Sequence, residues 1–233
     1  PRALRPHGGR IARARAFQAG GVTPQGERPR LAGHLLAPQP GEAVLDLCSA
    51  PGGKATHLAE LMQNQGRLVA LDLHPGKLRQ VDEAAARLGL DAMDARALPE
   101  AWRERFDRVL LDAPCSGLGV VGRRPEIRWR SSPETIRSRV PIQQALLEQA
   151  VRVLRPGGRL LYATCSVEPE ETLEQVRWLV AQHPEMVPVD REEVKRLLEA
   201  AGAPVEPGEE GSVILLPHRH QTDGFFLALF EKR

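Results

Sequence analysis

The chain has 233 residues, a formal net charge of +2 and an apolar content of 42%, which are typical of one globular domain with a full core. No apolar run reaches the roughly 18 residues of a membrane span, and no secretory signal segment opens the chain, so we expect a cytoplasmic protein without a membrane partner. Three cysteines without a CxxC pair indicate free thiols rather than a disulfide framework, and we expect no metal site.

The first 40 residues are rich in proline, glycine and arginine and have little periodicity. We therefore expect a basic N-terminal arm over residues 1–40, extended except for the short apolar segment LAGHLLA. Residues 41–233 are expected to form one folded domain, because regular apolar patterns begin there.

From residue 43 onward, apolar strand-like runs alternate with helical patterns. The predicted strands are AVLDLC (43–48), RLVALDL (67–73), LDAMDA (90–95), FDRVLLDAP (106–114), GRLLYATC (158–165), SVILLPH (212–218) and GFFLALFEK (224–232). The predicted helices lie at residues 54–63, 75–89, 141–154 and 169–183. This alternation predicts an α/β fold with a mostly parallel sheet covered on both faces, and the last two strands predict an antiparallel C-terminal hairpin edge.

A glycine-containing turn follows the first strand, in the sequence DLCSAPGGKAT. Gly52 and Gly53 allow a tight turn and close approach to a ligand, and the next helix offers free N–H groups. The pattern is neither GxGxxG nor a P-loop. It therefore lacks the signature of a pyrophosphate site.

Two aspartates stand at the ends of the next two strands. Asp72 follows Gly52 by 20 residues, where a carboxylate suits the hydroxyls of a ribose, and Asp94 ends the third strand, where an adenine would lie. A strand-end aspartate is often only a helix cap, and for Asp94 alone that alternative is equally good. Together with the glycine turn, Asp72 favours S-adenosylmethionine over NAD or ATP, because a pyrophosphate loop is missing.

All three cysteines, Cys48, Cys115 and Cys165, stand at predicted strand ends. The alternative for each is a small buried apolar side chain. Thiols beside a methyl donor instead indicate methylation at carbon 5 of a pyrimidine, because a thiolate that adds to carbon 6 makes carbon 5 nucleophilic. The reaction also needs an acid near N3 of the ring and a base that removes the carbon 5 proton.

The residues around Cys165 have opposing effects on its pKa. A helix predicted to begin at Pro169 would favour the thiolate through its positive end. Glu168, Glu170 and Glu171 would oppose it. The direction of the pKa shift therefore stays open at the level of sequence.

Arginine is concentrated in two stretches of the chain. Residues 1–33 hold seven arginines and one acidic residue, and a second cluster spans residues 122–139, GRRPEIRWRSSPETIRSR. One such run is usually a solvated face, but two on a near-neutral chain favour a polyanionic partner. Trp129 would either stack on a base or serve as an ordinary packing residue. We expect contacts to RNA from Arg123, Arg124, Arg128 and Trp129.

Four segments resemble the Sun-type RNA (cytosine-5) methyltransferases: DLCSAPGGKATHLAELM, FDRVLLDAPCSGLGVVGRRPEIRW, LYATCSVEPEE and DGFFLALFEK. The resemblance covers roughly residues 20–233, and the order APGGK, DAPCS, ATCS is specific to this family. It implies a Rossmann-like fold that binds S-adenosylmethionine and methylates carbon 5 of cytosine in RNA, with 16S ribosomal RNA as the expected substrate.

The resemblance also implies roles for single residues. It implies that Cys165 is the nucleophile, that Cys115 assists product release and that Asp112 lies where cofactor and base meet. DNA cytosine methyltransferases use a Pro-Cys motif as nucleophile, which makes Cys115 the rival, but the surrounding DAPCSGLGVVGRRP matches the RNA family. The implied cofactor-binding residues are Cys48, Ser49, Ala50, Pro51, Gly52, Gly53, Lys54, Asp72, Asp94 and Asp112.

The same sequence features leave two alternatives, another RNA substrate and a non-catalytic module. The same chemistry on tRNA or another ribosomal site is the nearest alternative. The ribosomal enzymes carry an N-terminal helical RNA-binding domain that these 233 residues do not include, so we expect either a piece of a longer protein or a shorter relative. A non-catalytic RNA-binding module on the same fold is the alternative of another class, but it would need none of Cys165, Cys115 and Asp112. We expect a monomer with RNA as its partner and no protein partner.

Overall fold

A computed structural model describes residues 14–23, 27–95, 105–203 and 205–233. Residues 1–13 and 24–26, which belong to the expected N-terminal arm, lie outside the described residues. Among the helices that the structure describes, none is both long enough and apolar enough to cross a membrane.

The strands form one mixed sheet. They are β1 (Ala43–Asp46), β2 (Arg67–Ala70), β3 (Met93–Ala95), β4 (Phe106–Asp112), β5 (Leu154–Thr164), β6 (Met186–Pro188), β7 (Ser212–Leu215) and β8 (Phe225–Lys232). Their order is β3-β2-β1-β4-β5-β8-β6, and β7 also pairs with β8. The first five strands of this order are parallel, whereas β8 is antiparallel to β5, β6 and β7. The predicted mostly parallel sheet with an antiparallel C-terminal edge is confirmed.

Helices cover both faces of this sheet. They are α1 (Arg15–Gln18), α2 (Glu27–Leu36), α3 (Gly53–Leu61), α4 (Pro75–Leu88), α5 (Ile127–Arg130), α6 (Pro133–Val153), α7 (Leu173–Gln182), α8 (Arg191–Ala200) and α9 (Pro217–His220). Residues of α2, α3, α4 and α8 share one apolar core, and those of α6 and α7 share the other. Along β4, Leu110 packs into the first core and Val109 and Leu111 into the second, as the alternation of a strand requires.

Helix α2 differs from the extended arm expected before residue 40. Leu31, Leu35 and Leu36 are buried in the core, and their spacing puts them on one helical face. Pro29 and Gly33 hid this pattern, although proline is tolerated in a first helical turn and glycine costs a helix only about 1 kcal/mol. The domain boundary drawn just after this helix remains a prediction.

Helix α6 begins at Pro133 rather than at the predicted residue 141. The Oγ of Ser132 accepts a hydrogen bond from the backbone N–H of Thr135 at 3.2 Å, and proline suits the first helical position. Pro141, which the sequence suggested as a helix start, lies inside the helix. The longer helix carries Gln143, whose side chain is buried beneath the candidate site.

Candidate active site

The turn after β1 is tied to the end of β2. Both the backbone N–H and the Oγ of Ser49 donate to the carbonyl oxygen of Leu71, at 2.7 and 2.9 Å. Gly52 has φ of 101°, and a Cβ at this position would lie 3.1 Å from the Cα of Val81. Glycine is therefore needed both for the left-handed conformation and for the close approach of α4. The structure places the predicted residues Cys48 to Lys54 together in this turn and the first turn of α3, with a cis peptide between Ala50 and Pro51.

The aspartates predicted to bind the nucleoside lie along the same edge of the sheet. Asp72 stands two residues after the end of β2, and its Oδ1 accepts a hydrogen bond from the backbone N–H of His74 at 2.9 Å. Its carboxylate thus shapes the turn before α4 but does not cap the helix, whose N-cap is His74, and it stays partly exposed. Asp94 is exposed on β3, opposite Val69. Their positions agree with a nucleoside site, and their binding roles remain predictions.

Asp46 is a site residue that the sequence analysis missed. It ends β1 and is fully buried, and its Oδ1 accepts a weak hydrogen bond from the N–H of Cys48 at 3.4 Å. Its Oδ2 has no hydrogen-bond partner among the described residues. Burial raises the pKa of Asp46 to about 7; the charges of Asp112 and Asp72 add to the rise, and Lys54 opposes it. An orphaned carboxylate oxygen of this kind fits a cationic ligand such as the sulfonium amino acid part of S-adenosylmethionine.

Lys54 and Asp112 form an ion pair between α3 and β4. The Nζ of Lys54 donates to Oδ2 of Asp112, and the side chains are only 17% and 26% exposed. Burial lowers the pKa of Lys54, but the neighbouring Asp112 carboxylate outweighs it, so the pKa is raised and the ammonium stays charged. The same Nζ lies 5.7 Å from the ring centre of Phe225. Lys54 thus places a fixed positive charge at the edge where β4, β5 and β8 meet.

The two cysteines that follow β4 and β5 are in contact. The Sγ atoms of Cys115 and Cys165 are 3.3 Å apart, and both thiols are free. The hydrogen bond from Cys115 lowers the pKa of Cys165; Lys54 acts in the same direction, and burial and Asp112 oppose it. The pKa of Cys115 is raised well above its usual value by this hydrogen bond, by burial and by nearby negative charge. Of the two thiols, Cys165 is therefore the one that ionises more readily, and Cys115 is the better placed to donate the hydrogen bond between them.

This arrangement differs from the electrostatic source that the sequence suggested. The helix after Cys165 begins at Leu173, and Pro169–Glu171 form only a 3₁₀ turn. The stabilising groups are Cys115 and Lys54, which come from other strands and helices. Cys48 is neither the thiol of lowered pKa nor its hydrogen-bond partner, and burial and the neighbouring Asp46 raise the pKa of its thiol.

Glu171 is a second residue that the sequence analysis did not assign to the site. It is fully buried, and its Oε1 accepts hydrogen bonds from the backbone N–H of Ser116 at 2.8 Å and from Nε2 of Gln143 at 3.3 Å. Its Oε2 accepts from the hydroxyl of Ser116. The carboxylate therefore connects the loop that follows Cys165 to the residue after Cys115.

The loop after Cys115 packs beside the thiols through the backbone of Gly119. The N–H of Gly119 donates to the carbonyl of Cys165 at 3.0 Å, and the carbonyl of Gly119 accepts from the N–H of Gly224 at 2.7 Å. A Cβ on Gly119 would lie 2.4 Å from the oxygen of Gly224 and 2.8 Å from that of Cys165. Only glycine permits this approach, so the loop is locked beside the thiol pair.

The predicted RNA-contacting residues lie beyond this loop, around α5. Arg124 and Arg128 are exposed, and Trp129 is 86% exposed, so its alternative role as an ordinary packing residue is wrong. Arg123 is also exposed but pairs with Asp223 at 2.7 Å. This basic, aromatic rim adjoins the loop after Cys115, because a Cβ on Gly117 would lie 3.2 Å from Cδ1 of Ile127 on α5 and 4.0 Å from Sγ of Cys165.

The mostly parallel sheet with its antiparallel edge is the fold of the S-adenosylmethionine-dependent methyltransferases. A family model described as 16S rRNA methyltransferase RsmB/F matches residues 33–231. The chain belongs to this family, and the resemblance to Sun-type methyltransferases stated from the motifs is confirmed.

Individual relatives agree with this membership. The chain is 40% identical over 231 residues to the probable ribosomal RNA small subunit methyltransferase B of Bacillus subtilis, covering 97% of this chain and 51% of that protein. It is 40% identical over 223 residues to the Klebsiella pneumoniae ribosomal RNA small subunit methyltransferase B, covering 93% and 48%. The chain thus spans about half the length of these relatives.

A solved structure shares both the fold and the cofactor class. The crystal structure of NSun6 from Pyrococcus horikoshii with SFG, an analogue of S-adenosylmethionine, is 29% identical to the chain with a TM-score of 0.81. The match covers 95% of this chain and 56% of that one. S-adenosylmethionine, expected from the missing pyrophosphate loop, is therefore confirmed as the cofactor of this family.

Proposed function

We propose that this chain carries the catalytic centre of an RNA methyltransferase that forms 5-methylcytosine in 16S ribosomal RNA. The observation that carries the proposal is the 3.3 Å contact between the sulfurs of Cys115 and Cys165, beside the Lys54–Asp112 ion pair. The family and the small-subunit ribosomal RNA enzymes among its relatives support RNA, and 16S RNA in particular, as the substrate.

The residues of the β1 edge fit the cofactor. We assign the methionine part to the turn from Cys48 to Lys54, the ribose to Asp72 and the adenine to the surface beside Asp94. When bound, S-adenosylmethionine supplies a methyl group on a positively charged sulfonium. The orphaned Oδ2 of Asp46 suits that positive charge, and the position of a Cβ on Gly53 is open, with nothing within 4 Å.

Cys165 is the nucleophile in this proposal. Its sulfur, whose pKa Cys115 and Lys54 act to lower, adds as a thiolate to carbon 6 of cytosine, and the ring electrons move to carbon 5. The Asp112 carboxylate would accept a hydrogen bond from the N4 amino group of the base, which is the usual pairing of an aspartate with cytosine. Its partner Lys54, whose ammonium is hydrogen-bonded to Asp112, would supply the proton donor for N3 of the ring.

Cys115 has a separate role in product release. The negative charge of Cys165 helps hold the proton on Cys115 in the free protein. Once the sulfur of Cys165 is bonded to carbon 6, that charge is gone, so Cys115 loses its proton more easily. The resulting thiolate would take the carbon 5 proton, directly or through water, and the carbon 6–sulfur bond would break to free Cys165.

The rim around α5 is the expected RNA surface. Arg124 and Arg128 offer charge for phosphates, and Trp129 offers an exposed ring for stacking. The alternative substrates, tRNA and other ribosomal sites, have the same phosphate chemistry and would use the same rim. The non-catalytic alternative is disfavoured, because two thiols in contact beside a buried ion pair add nothing to RNA binding alone.

Product mapping tests this proposal. The protein is incubated with S-adenosylmethionine and separate pools of 16S RNA, 23S RNA and tRNA, and 5-methylcytosine is mapped in each. We expect one or a few modified cytosines in 16S RNA. Modification only in tRNA or 23S RNA would reassign the substrate, and a methylated position other than carbon 5 would overturn the chemistry.

A further inference from the structure

Glu171 is a charged group sealed inside the protein at the boundary of the site. It ends the 3₁₀ turn after Cys165, yet its carboxylate is directed at the loop that carries the other cysteine. The N–H and the hydroxyl of Ser116 both donate to it. A buried carboxylate is costly unless it is fully hydrogen-bonded, and these bonds supply that compensation.

The position of Glu171 is fixed from two further elements. Nε2 of Gln143 on α6 donates both to Oε1 of Glu171 and to the carbonyl of Pro114, at 3.3 and 3.0 Å. The hydroxyl of Tyr162 on β5 donates to the backbone carbonyl of Glu171 at 2.9 Å. Ser116, after Cys115, is thus hydrogen-bonded to the carboxylate of Glu171. Pro114, before Cys115, is hydrogen-bonded to Gln143, which also donates to that carboxylate.

The residues that directly follow the two cysteines also touch. The hydroxyls of Ser116 and Ser166 are 3.3 Å apart, so the two loops are joined by this contact as well as by the contact between the sulfurs. The two thiols share the negative Asp112 as a neighbour but differ in a second charge, because Glu171 lies near Cys115 and Lys54 lies near Cys165. Glu171 acts to raise the pKa of Cys115, whereas Lys54 acts to lower that of Cys165.

We propose that Glu171 is a positioning residue that assigns the two cysteines their different roles. Its bonds to Ser116 hold Cys115 as the protonated hydrogen-bond donor against Cys165, which leaves Cys165 as the reactive sulfur. The asymmetry between the thiols belongs to the free protein. Only its consequence for turnover rests on the proposed function.

Thiol reactivity tests the asymmetry without any substrate. The parent, Glu171→Gln and the control Glu174→Gln, which changes an exposed glutamate on α7, are treated with iodoacetamide over pH 6–9. Alkylation of each cysteine is followed by mass spectrometry. In Glu171→Gln we expect the ratio of Cys115 to Cys165 alkylation to rise about tenfold, because the loss of the negative charge eases ionisation of Cys115. The control keeps the parent ratio.

Two further measurements separate positioning from a merely structural role. Unfolding temperature identifies a folded variant, and if Glu171→Gln does not fold, Ser116→Ala replaces it, since it removes one bond and is expected to shift the ratio in the same direction. In RNA methylation, Glu171→Gln should lose about tenfold or more in kcat with KM for RNA unchanged. An unchanged alkylation ratio in a folded variant overturns the proposal. If the parent itself makes no 5-methylcytosine, the proposed function fails while the alkylation ratio still decides the role of Glu171.

Discussion

The sulfurs of Cys115 and Cys165 lie 3.3 Å apart although the residues stand 50 positions apart in the chain. They meet because β4 and β5 are neighbouring parallel strands that end at the same level, with Asp112 opposite Ala163. When a pair of thiols at this distance loses one proton, their surroundings determine which sulfur keeps the other. Lys54 beside Cys165 acts to lower the pKa of that thiol, and Glu171 beside Cys115 acts to raise the pKa of the other.

Replacing Cys115 should trap the protein on its substrate. Cys115→Ala removes the group that we assign to product release but keeps Cys165, so protein–RNA adducts should accumulate during ordinary turnover. Denaturing gels with labelled RNA measure them, and the double variant Cys115→Ala, Cys165→Ala is the control that forms none. Clean release at the parent rate would contradict the role of Cys115.

Asp46 should make stability depend on pH. Burial raises its folded pKa from 3.8 to about 7, so the folded chain binds the proton more tightly than the unfolded chain. The free energy of unfolding therefore falls as pH rises from about 4 to about 7 and stays lower above that range. Asp46→Asn should raise stability at pH 8 by at most about 4 kcal/mol and change it little at pH 4. Thermal unfolding measures this, with exposed Asp82→Asn as control; equal shifts at both pH values would count against it.

The same carboxylate should make cofactor affinity depend on pH. A bound cation favours the ionised form of Asp46, so binding should release a proton and should tighten as pH rises through about 7. Calorimetry between pH 6 and 8 measures the affinity and the proton release. Asp46→Asn should bind more weakly and lose this dependence. If it binds as the parent does, Asp46 does not face the cofactor.

Gly119 should not tolerate a methyl group. In Gly119→Ala the Cβ would meet the carbonyl oxygens of Gly224 and Cys165 at 2.4 and 2.8 Å, so the loop beside the thiols must shift. We expect a loss of about 1–3 kcal/mol in stability and of tenfold or more in kcat. The control is Gly122→Ala, three residues along the same loop, where a Cβ meets nothing within 4 Å. Equal behaviour of the two variants would show that the close approach does not matter.

Trp129 should affect RNA binding without affecting stability. Its ring is 86% exposed, so Trp129→Ala should leave the unfolding temperature unchanged. Loss of one base stack should weaken RNA binding by about 1–3 kcal/mol, which is roughly 5- to 150-fold in Kd. Fluorescence anisotropy with the target RNA measures it, and an unchanged Kd would place the RNA elsewhere.

The sequence predicted the site better where a local pattern carried the information. Apolar runs that stop at Asp112 and Cys165 marked the strand ends, and Gly52 marked the cofactor turn. Asp46 and Glu171 were missed because an acidic side chain gives no local sign of being buried; their burial comes from packing between distant elements. The direction of the pKa shift of Cys165 could not be predicted for the same reason, since the residues that cause it lie on other elements of the fold.

Some helices and strands could not be predicted from the sequence for similar physical reasons. Helix α8 lies in an acidic stretch, and only Val194 and Leu198 are buried along it, which is a weak signal for a helix. Strand β6 has three residues and is stabilised by its pairing with β8 rather than by its own sequence. Helix α2 was hidden by Pro29 and Gly33, and burial against the sheet outweighs both.

The central claim, that Cys165 adds to carbon 6 of a target cytosine, has a direct test. Target RNA carrying 5-fluorocytosine is incubated with protein and S-adenosylmethionine, because fluorine at carbon 5 blocks the proton loss that frees the enzyme. We predict a denaturation-resistant protein–RNA complex with the parent that disappears with Cys165→Ala. A complex that survives Cys165→Ala but is lost with Cys115→Ala would contradict the assignment of the nucleophile.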